Sequence, residues 1–222
     1  MAALREYSPV NPEGGKFITI EGIEGAGKSS NLVFMRGLLD GAGKQVMETR
    51  EPGGTPLGEE LRELLLDHRH TGMAEDSELL LMFAARAEHL VQKIRPALAR
   101  GEWVLCDRFT DATYAYQGGG RGIKRSRIQV LEDWVQAGFR PDLTVVLDLP
   151  TALGLERAGR RSAADRFERE TLEFFERVRA AYLEIARAEP GRVAVIDASR
   201  PLDEVQLQIS GLIHRFLGQE DG

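Results

Sequence analysis

The chain has a single cysteine among its 222 residues, which excludes an intramolecular disulfide framework. It also lacks a basic excess: the formal net charge is −6, so general binding to nucleic acid is not expected. No apolar run approaches the roughly 20 residues that span a bilayer. Residues 1–15 lack the apolar core of a signal peptide. We therefore expect a cytoplasmic protein with a flexible leader at residues 1–15 and no membrane or nucleic-acid partner.

The rest of the composition is that of an ordinary globular protein, with 42% hydrophobic and 29% charged residues. Short apolar runs that predict strands alternate with stretches that predict helices. The strands are predicted at 16–21, 44–49, 103–107, 143–149 and 192–197, and the helices at 28–41, 57–67, 76–100, 125–137, 152–160, 166–188 and 202–217. This alternation predicts an α/β fold, a three-layer sandwich with a five-stranded parallel sheet flanked by helices. We expect one domain over residues 16–217.

The stretch FITIEGIEGAGKSS is an apolar strand pattern that runs into glycines and ends on Gly-Lys-Ser-Ser. It matches the P-loop pattern, in which the glycines let backbone N–H groups face phosphates. Lys28 supplies a positive charge, and the Ser29 hydroxyl can bind Mg²⁺. We predict a P-loop NTPase fold in which the ATP phosphates contact Gly22, Ile23, Glu24, Gly25, Ala26, Gly27, Lys28, Ser29 and Ser30.

Polar residues follow the predicted strands, whose carboxyl ends should meet at one crevice. Arg50 follows the second strand, and Asp107 and Arg108 follow the third. Two arginines at strand ends suit bidentate binding of a second phosphate group. Asp107 is predicted to join Ser29 at a magnesium site. Asp148, at the end of the fourth strand, is an alternative, and the adjacent Arg108 favours Asp107.

Two further stretches contain side chains that suit a planar base. LLLMFAARAEHL predicts a buried helix on which Phe83 and Arg86, three positions apart, share a face. For this pair alone, a core phenylalanine beside a surface arginine is the simpler interpretation. VLCDRFTDATYAYQGGGR adds Tyr116, which offers a ring face, and Gln117, which offers an amide.

These segments together resemble the bacterial thymidylate kinases, nucleoside monophosphate kinases that phosphorylate dTMP with ATP. EGIEGAGKSS, TREPGGTPLGEELR, LLLMFAAR, DRF followed by AYQGGGRG, and RPDLTVVLDLP occur in the family's order and spacing, so the resemblance covers about residues 16–217. It implies a nucleoside monophosphate kinase fold with a short lid and a role in dTTP biosynthesis. It also implies Mg²⁺ as the cofactor, and a homodimer that contacts through the helices at 57–67 and 76–100.

The resemblance implies a role for each matching residue. Arg50 and Arg108 would bind the dTMP phosphate. Phe83 would stack on thymine, and Arg86 and Gln117 would hydrogen-bond its edge. The metal site would comprise Ser29 and Asp107. The complete dTMP site would comprise Glu24, Arg50, Phe83, Arg86, Arg108, Thr113, Tyr116 and Gln117.

One position departs from the family pattern. Ala112 stands where many members have a serine five residues after the aspartate of Asp-Arg. A base contact made there by serine would pass to Thr113 or be lost.

Arginines are concentrated in ERAGRRSAADRFER, residues 156–169, which follow the fourth strand. Such a run is ordinarily a solvated surface, but nucleoside monophosphate kinases have their lid at this point. The P-loop of this chain contains no arginine, and a subgroup of thymidylate kinases brings the transition-state arginine from the lid. The resemblance implies Arg161 for this role, with Arg157 and Arg166 as alternatives. The predicted catalytic residues are Lys28, Arg108, Arg157 and Arg161.

No general base is needed for a phosphate acceptor, because its second pKa is about 6 and its oxygen is already nucleophilic near neutral pH. Two other functions remain open. A kinase for a deoxynucleoside or another small metabolite would need a base, either Glu21 or Glu24. A non-catalytic module that binds ATP would leave Arg50, Phe83 and Arg86 without a role.

Overall fold

The computed structural model describes residues 14–159, 166–167 and 170–218. Most of the predicted leader at residues 1–15 lies outside this part of the chain. The strands form one parallel sheet in the order β2-β3-β1-β4-β5. They are β1 (Phe17–Glu21), β2 (Val46–Arg50), β3 (Trp103–Asp107), β4 (Leu143–Asp148) and β5 (Val193–Asp197).

Helices cover both faces of the sheet. They are α1 (Lys28–Gly41), α2 (Pro56–Leu66), α3 (Glu75–His89), α4 (Arg95–Ala99), α5 (Thr110–Thr113), α6 (Arg125–Gln136), α7 (Thr151–Gly159), α8 (Leu172–Ala188) and α9 (Leu202–Gly218). A 3₁₀ turn follows α2 at His68–His70, and π-helical segments at Leu90–Ile94 and Tyr114–Gly120 follow α3 and α5. The predicted α/β fold with a five-stranded parallel sheet is confirmed.

Two helical regions differ from the prediction. The helix predicted at 166–188 begins at Leu172, because the Thr171 hydroxyl caps it by accepting from the Phe174 N–H at 3.2 Å. The helical segment at 110–120 has no sequence signal, since it ends in three glycines. Tertiary packing explains why one of these three positions is glycine: a Cβ on Gly119 would lie 2.8 Å from the Cβ of Ala181 on α8.

Successive side chains of each strand point to opposite faces of the sheet, and both faces are buried. Phe17 and Val104 pack with Leu90 on one face, whereas Ile18 and Ile20 belong to the larger core on the other. Strands buried on both faces must be apolar at successive positions, which is why the sequence pattern is clear.

The strand register sets the position of the site. Asp107 is paired with Arg50 on β2 and with Ile20 on β1. The end of β2, the end of β3 and the beginning of the P-loop therefore lie side by side at one edge of the sheet.

Candidate active site

A cavity of about 230 Å³ opens at this edge. Its walls come from the P-loop, the turn after β2, helices α2 and α3, the segment after β3, and Phe167. Cationic side chains outnumber carboxylates among the charged residues that line it, which are Lys28, Arg50, Arg62, Arg86, Arg108, Glu24, Glu51 and Asp107. The excess of positive charge makes this a site for an anion.

The P-loop backbone packs tightly against α7. Gly25 has a φ of 73°, and a Cβ there would clash with the carbonyl oxygen of Gly154. In the reverse direction, a Cβ on Gly154 would lie 2.7 Å from the carbonyl oxygen of Glu24. Only glycine fits at both positions, so this contact fixes the path of the loop beside the cavity.

Lys28 begins α1 and faces the cavity. Its Nζ donates to the carbonyl oxygens of Gly22 and Ile23, at 3.1 Å each. Burial, and then the positive charge of Arg108, lower the pKa of Lys28. Lys28 and Arg108 line the same cavity, so both cations can act on one anion.

Arg108 follows β3 with a φ of 70°, a left-handed conformation that is strained for residues other than glycine. The buried carboxyl group of Glu21 stabilises this turn: its oxygens accept from the Phe109 N–H and from the Tyr182 hydroxyl, each at 2.7 Å. Burial, and then the negative charge of Asp111, raise the pKa of Glu21 to about 8. Glu21 does not line the cavity, so it orients Arg108 without facing a ligand.

We call Arg50, Arg62 and Arg108 the arginine triad. Arg50 donates to Glu59 at 2.8 Å, and Arg62 donates to the carbonyl oxygen of Pro52 at 2.9 Å. Burial, and then the positive charge of Arg50, lower the pKa of Arg62. Like charges held this close create a strongly positive region, which is what a phosphate group requires.

Glu24 lies between the P-loop and the triad. Its carboxylate accepts from Arg108 at 2.8 Å and from the Tyr116 hydroxyl at 2.7 Å, and the guanidinium of Arg108 lies 4.6 Å from the centre of the Tyr116 ring. Burial opposes the charge on Arg108, but Tyr116 and then Glu24 outweigh it and hold the pKa of Arg108 well above its ordinary value. Arg108 is therefore a permanent cation.

The opposite wall contains a chain of hydrogen bonds that we call the buried network. Arg86 donates to Glu51 at 2.8 Å and to the Thr113 hydroxyl at 3.0 Å. Because a carboxylate only accepts, the Nδ1–H of His89 donates to Glu51, at 2.9 Å, and its Nε2 lies 2.6 Å from the Thr49 hydroxyl. The network fixes Arg86 against the cavity.

A family model described as thymidylate kinase matches residues 20–209. The chain belongs to the thymidylate kinase family. A thymidylate kinase from Thiobacillus denitrificans is 60% identical over 199 residues, 90% of this chain and 96% of that relative. One from Pseudomonas savastanoi pv. phaseolicola is 58% identical over 203 residues, 91% of this chain and 97% of the relative. The crystal structure of thymidylate kinase from Ehrlichia chaffeensis superposes with a TM-score of 0.74 at 36% identity, covering 90% of this chain and 99% of that one.

The cavity brings together most of the residues that the resemblance to thymidylate kinases implies. Those that line it are Glu24, Gly25, Lys28, Arg50, Arg86, Asp107, Arg108, Thr113, Tyr116 and Gln117. Ala112 also lines it, and the Thr113 hydroxyl beside it is bound to Arg86.

Phe83 is not among the residues that line the cavity, and its stacking on a base stays a prediction. It is 2% exposed and belongs to the core, where its ring lies 4.8 Å below the guanidinium of Arg86. Met82 lines the cavity instead. Successive helix residues point about 100° apart, and of these two neighbours Met82 is the one that lines the cavity.

The two candidate metal carboxylates differ in their partners. Both carboxylate oxygens of Asp148 accept hydrogen bonds from Arg179, at 2.6 and 2.9 Å, so this group is already occupied. Asp107 lines the cavity, and its Oδ1 is buried with no hydrogen-bond partner within the described ranges. The same part of the chain holds no group of three or more His, Cys, Asp and Glu residues able to bind a metal.

The three arginines of this chain that the resemblance suggests for the lid differ in their positions. Arg161 lies outside the described residues. Arg157 donates to the carbonyl oxygens of Ala198, at 2.9 Å, and Ser199, at 3.4 Å, and does not line the cavity. Arg166 is buried and does not line it either.

Sequence reasoning did not single out Arg62, Met82 and Phe167 as site residues, yet they line the cavity. For Arg62 the helix spacing offers a signal: it follows Glu59 by three positions on α2, so the two side chains share one face. Glu59 in turn binds Arg50, which places Arg62 on the same side of the site. Phe167 had none, because its segment reads as the beginning of a helix.

Proposed function

We propose that this chain transfers the terminal phosphoryl group of ATP to dTMP and forms dTDP for dTTP synthesis. One observation carries the proposal: a single cavity joins the P-loop lysine to the arginine triad and to the buried network. A phosphate donor site, a phosphate acceptor site and a wall for a planar base are thereby adjacent.

The acceptor lies along the cavity in this proposal. The arginine triad binds its phosphate, and Arg86 and Gln117 hydrogen-bond the thymine edge. Met82 packs against the base, and Tyr116 and Glu24 face the sugar. Phe83 supports Arg86 from the core. Each of these contacts is a proposal supported by the positions of the side chains around the cavity.

Catalysis rests on position and charge. The acceptor phosphate is largely dianionic at neutral pH, since its second pKa is about 6. Its oxygen attacks directly, and Lys28 and Arg108 neutralise the charge that develops on the transferred group. The deoxynucleoside kinase is disfavoured, because Glu21 is buried away from the cavity and Glu24 is held by Arg108 and Tyr116.

Asp107 and Ser29 are the residues that would hold Mg²⁺. The unpartnered Oδ1 of Asp107 fits a ligand of this kind, and kinases usually hold the ion with one or two protein ligands plus the substrate phosphates. The bound ion would supply charge neutralisation on the phosphates. We keep Arg161 as the proposed lid arginine within residues 156–169, and residues 16–217 as one catalytic unit.

A homodimer is supported by exposed apolar side chains on α2, α3 and α6, which pack side by side. They are Leu57, Leu64, Leu80, Val130 and the 81% exposed Trp134. Exposed apolar side chains on neighbouring helices fit a contact with a second protein surface. Light scattering of the wild type and of Trp134→Glu tests this: a dimer that the substitution dissociates is expected, and a monomeric wild type would overturn it.

We also propose that the protein acts in the cytoplasm. Its only cysteine, Cys106, is buried and free, which fits a reducing compartment. In the described residues, no helix has both the length and the apolar character needed to cross a membrane.

The test is ADP release from ATP and Mg²⁺, with dTMP, dUMP, dCMP, dGMP, AMP and thymidine offered one at a time. Release strongest with dTMP and near zero with thymidine is expected. Release with thymidine, or equal release without an acceptor, would overturn the proposal in favour of a nucleoside kinase or an ATPase.

A further inference from the structure

Glu78, on the first turn of α3, connects several elements although it does not line the cavity. Its side chain is 1% exposed. The carboxylate accepts from the Gln117 amide at 2.8 Å and from Arg121 at 3.3 and 3.4 Å, and it lies 2.7 Å from the guanidinium of Arg166.

This arrangement determines which way the Gln117 amide points. A carboxylate paired with two guanidinium groups carries its negative charge and can only accept hydrogen bonds. The amide atom 2.8 Å from Glu78 must therefore be the nitrogen, Nε2. Gln117 lines the cavity. Because its N–H₂ group is bound to Glu78, its side-chain carbonyl oxygen is the group that it can offer to a ligand.

Arg86 presents the opposite chemistry on the same wall. Its Nε and Nη2 donate to Glu51 and Thr113, whereas its Nη1 is buried and has no partner among the residues described. A guanidinium has donors only. The wall therefore offers a donor from Arg86 and an acceptor from Gln117.

A base edge complementary to this wall needs a keto oxygen and a ring N–H. Thymine and uracil have both, while cytosine has an amino group and an unprotonated ring nitrogen in their place, so both of its contacts would be mismatched. We propose that Glu78 is a positioning residue that sets base selectivity: it holds the Gln117 amide with its carbonyl available to the ring N–H of thymine. This inference rests on the proposed function, because it assumes that the base faces Arg86 and Gln117.

The experiment compares the wild type with Glu78→Gln and Glu78→Asp. The amide introduced by Glu78→Gln can offer either an oxygen or an N–H₂ group, so Gln117 would no longer be held in one orientation. We expect the ratio of kcat/KM for dTMP to kcat/KM for dCMP to fall at least about tenfold in Glu78→Gln, since Gln117 could then turn its N–H₂ group to the ring nitrogen of cytosine and remove one of the two mismatches. The ratio for dTMP against dUMP should not change, because these two bases have the same edge.

Glu78→Asp is the matched control. The aspartate side chain in this variant remains an acceptor-only anion and should keep the dTMP to dCMP ratio, even if its shorter length raises KM for every acceptor. A merely structural role predicts a different result. Both variants would then lose activity with all acceptors to the same degree, and neither ratio would change.

The outcomes separate this inference from the proposed function. A wild-type protein that does not phosphorylate dTMP would defeat the proposed function. A wild type that prefers dTMP, with an unchanged dTMP to dCMP ratio in a folded Glu78→Gln, would defeat only the role of Glu78.

Glu78→Gln removes the charged partner of the buried Arg166 and one of the two carboxylate partners of Arg121, and it can fail to fold, so a second measurement uses the wild type. Side-chain amide signals of ¹⁵N-labelled glutamine are recorded, and those of Gln117 are assigned by their loss in Gln117→Leu. We expect its N–H₂ protons to be protected from exchange with water both before and after dTMP is added. Protection that is absent throughout, or that disappears when dTMP is added, would overturn the inference.

Discussion

In the buried network, the side chains of Arg86, Glu51 and His89 are 3%, 4% and 0% exposed. In the arginine triad, Arg50 is 53% exposed, and its partner Glu59 is 41% exposed. A buried ion pair that loses one partner costs several kcal/mol, whereas an exposed pair contributes about 0–1 kcal/mol. Folding therefore fixes the wall that faces the base, while Arg50 can exchange Glu59 for a ligand phosphate at little cost.

The largest expected effect comes from breaking the buried network with Arg86→Ala. Removing one partner of a buried pair costs about 3–5 kcal/mol, so we expect a lower melting temperature together with a KM for dTMP raised roughly a hundredfold. The KM for ATP should not change, because Arg86 lies on the acceptor side of the cavity. Thermal unfolding and steady-state kinetics with each substrate varied check this.

Arg86→Lys is the control for charge. A lysine cannot bind Glu51 and Thr113 together as the guanidinium does, so it should recover part of the stability and little of the dTMP affinity. Equal changes in KM for dTMP and for ATP in Arg86→Ala would remove Arg86 from the acceptor site.

The next effect concerns Glu21, the buried acid that supports Arg108. An unfolded glutamate has its ordinary pKa near 4.5, and the folded value is about 8. Between these values the native state binds a proton that the unfolded chain has released, so the free energy of unfolding falls as pH rises. One pKa unit corresponds to about 1.4 kcal/mol, so well inside this interval the free energy of unfolding falls by about 1.4 kcal/mol per pH unit.

Glu21→Gln removes this titration while its amide can still bond to Phe109 and Tyr182. Urea unfolding of both proteins at pH 5.5, 6.5 and 7.5 should give a flatter stability profile for the variant. Parallel profiles for the two proteins would show that Glu21 does not hold its proton in this range.

Arg50→Ala tests the exposed side of the comparison. One charge-assisted hydrogen bond contributes roughly 1.5–3 kcal/mol, so KM for dTMP should rise about tenfold, with no change in melting temperature. The effect should shrink as salt is added, because exposed charges are screened. A large loss of stability in Arg50→Ala would break the comparison, since Arg50 would then resemble Arg86. Arg50→Lys should keep most of the affinity.

The smallest effects separate Met82 from Phe83. Met82→Leu conserves volume and should change KM for dTMP slightly without a large loss of stability. Phe83→Leu should instead lower the free energy of unfolding by roughly 1–2 kcal/mol, with little change in KM, because its ring is in the core. A Phe83→Leu protein with unchanged stability and a raised KM for dTMP would return Phe83 to the ligand site.

The strands and the P-loop can be predicted closely because their signals are local. β3 is predicted at 103–107 and is found there, since an apolar run bounded by polar residues describes a strand buried on both faces. Lys28 follows from a pattern of adjacent residues. Arg50 and Arg108 are expected in one crevice because the ends of parallel strands meet, and both line the cavity.

The direction of each side chain does not follow from those patterns. Met82 and Phe83 are neighbours in one apolar helix, and only the packing of α3 on the sheet shows which of them faces the cavity. The partners in the networks are also distant in the chain: Glu51 and Arg86 are 35 positions apart, and Glu78 and Gln117 are 39 apart. Strand patterns and loops depend on a few consecutive residues, so the amino-acid order is sufficient for them. The orientation of a buried charged side chain instead depends on the partner that the fold brings within hydrogen-bonding distance. That partner is determined only when the helices and strands have packed together.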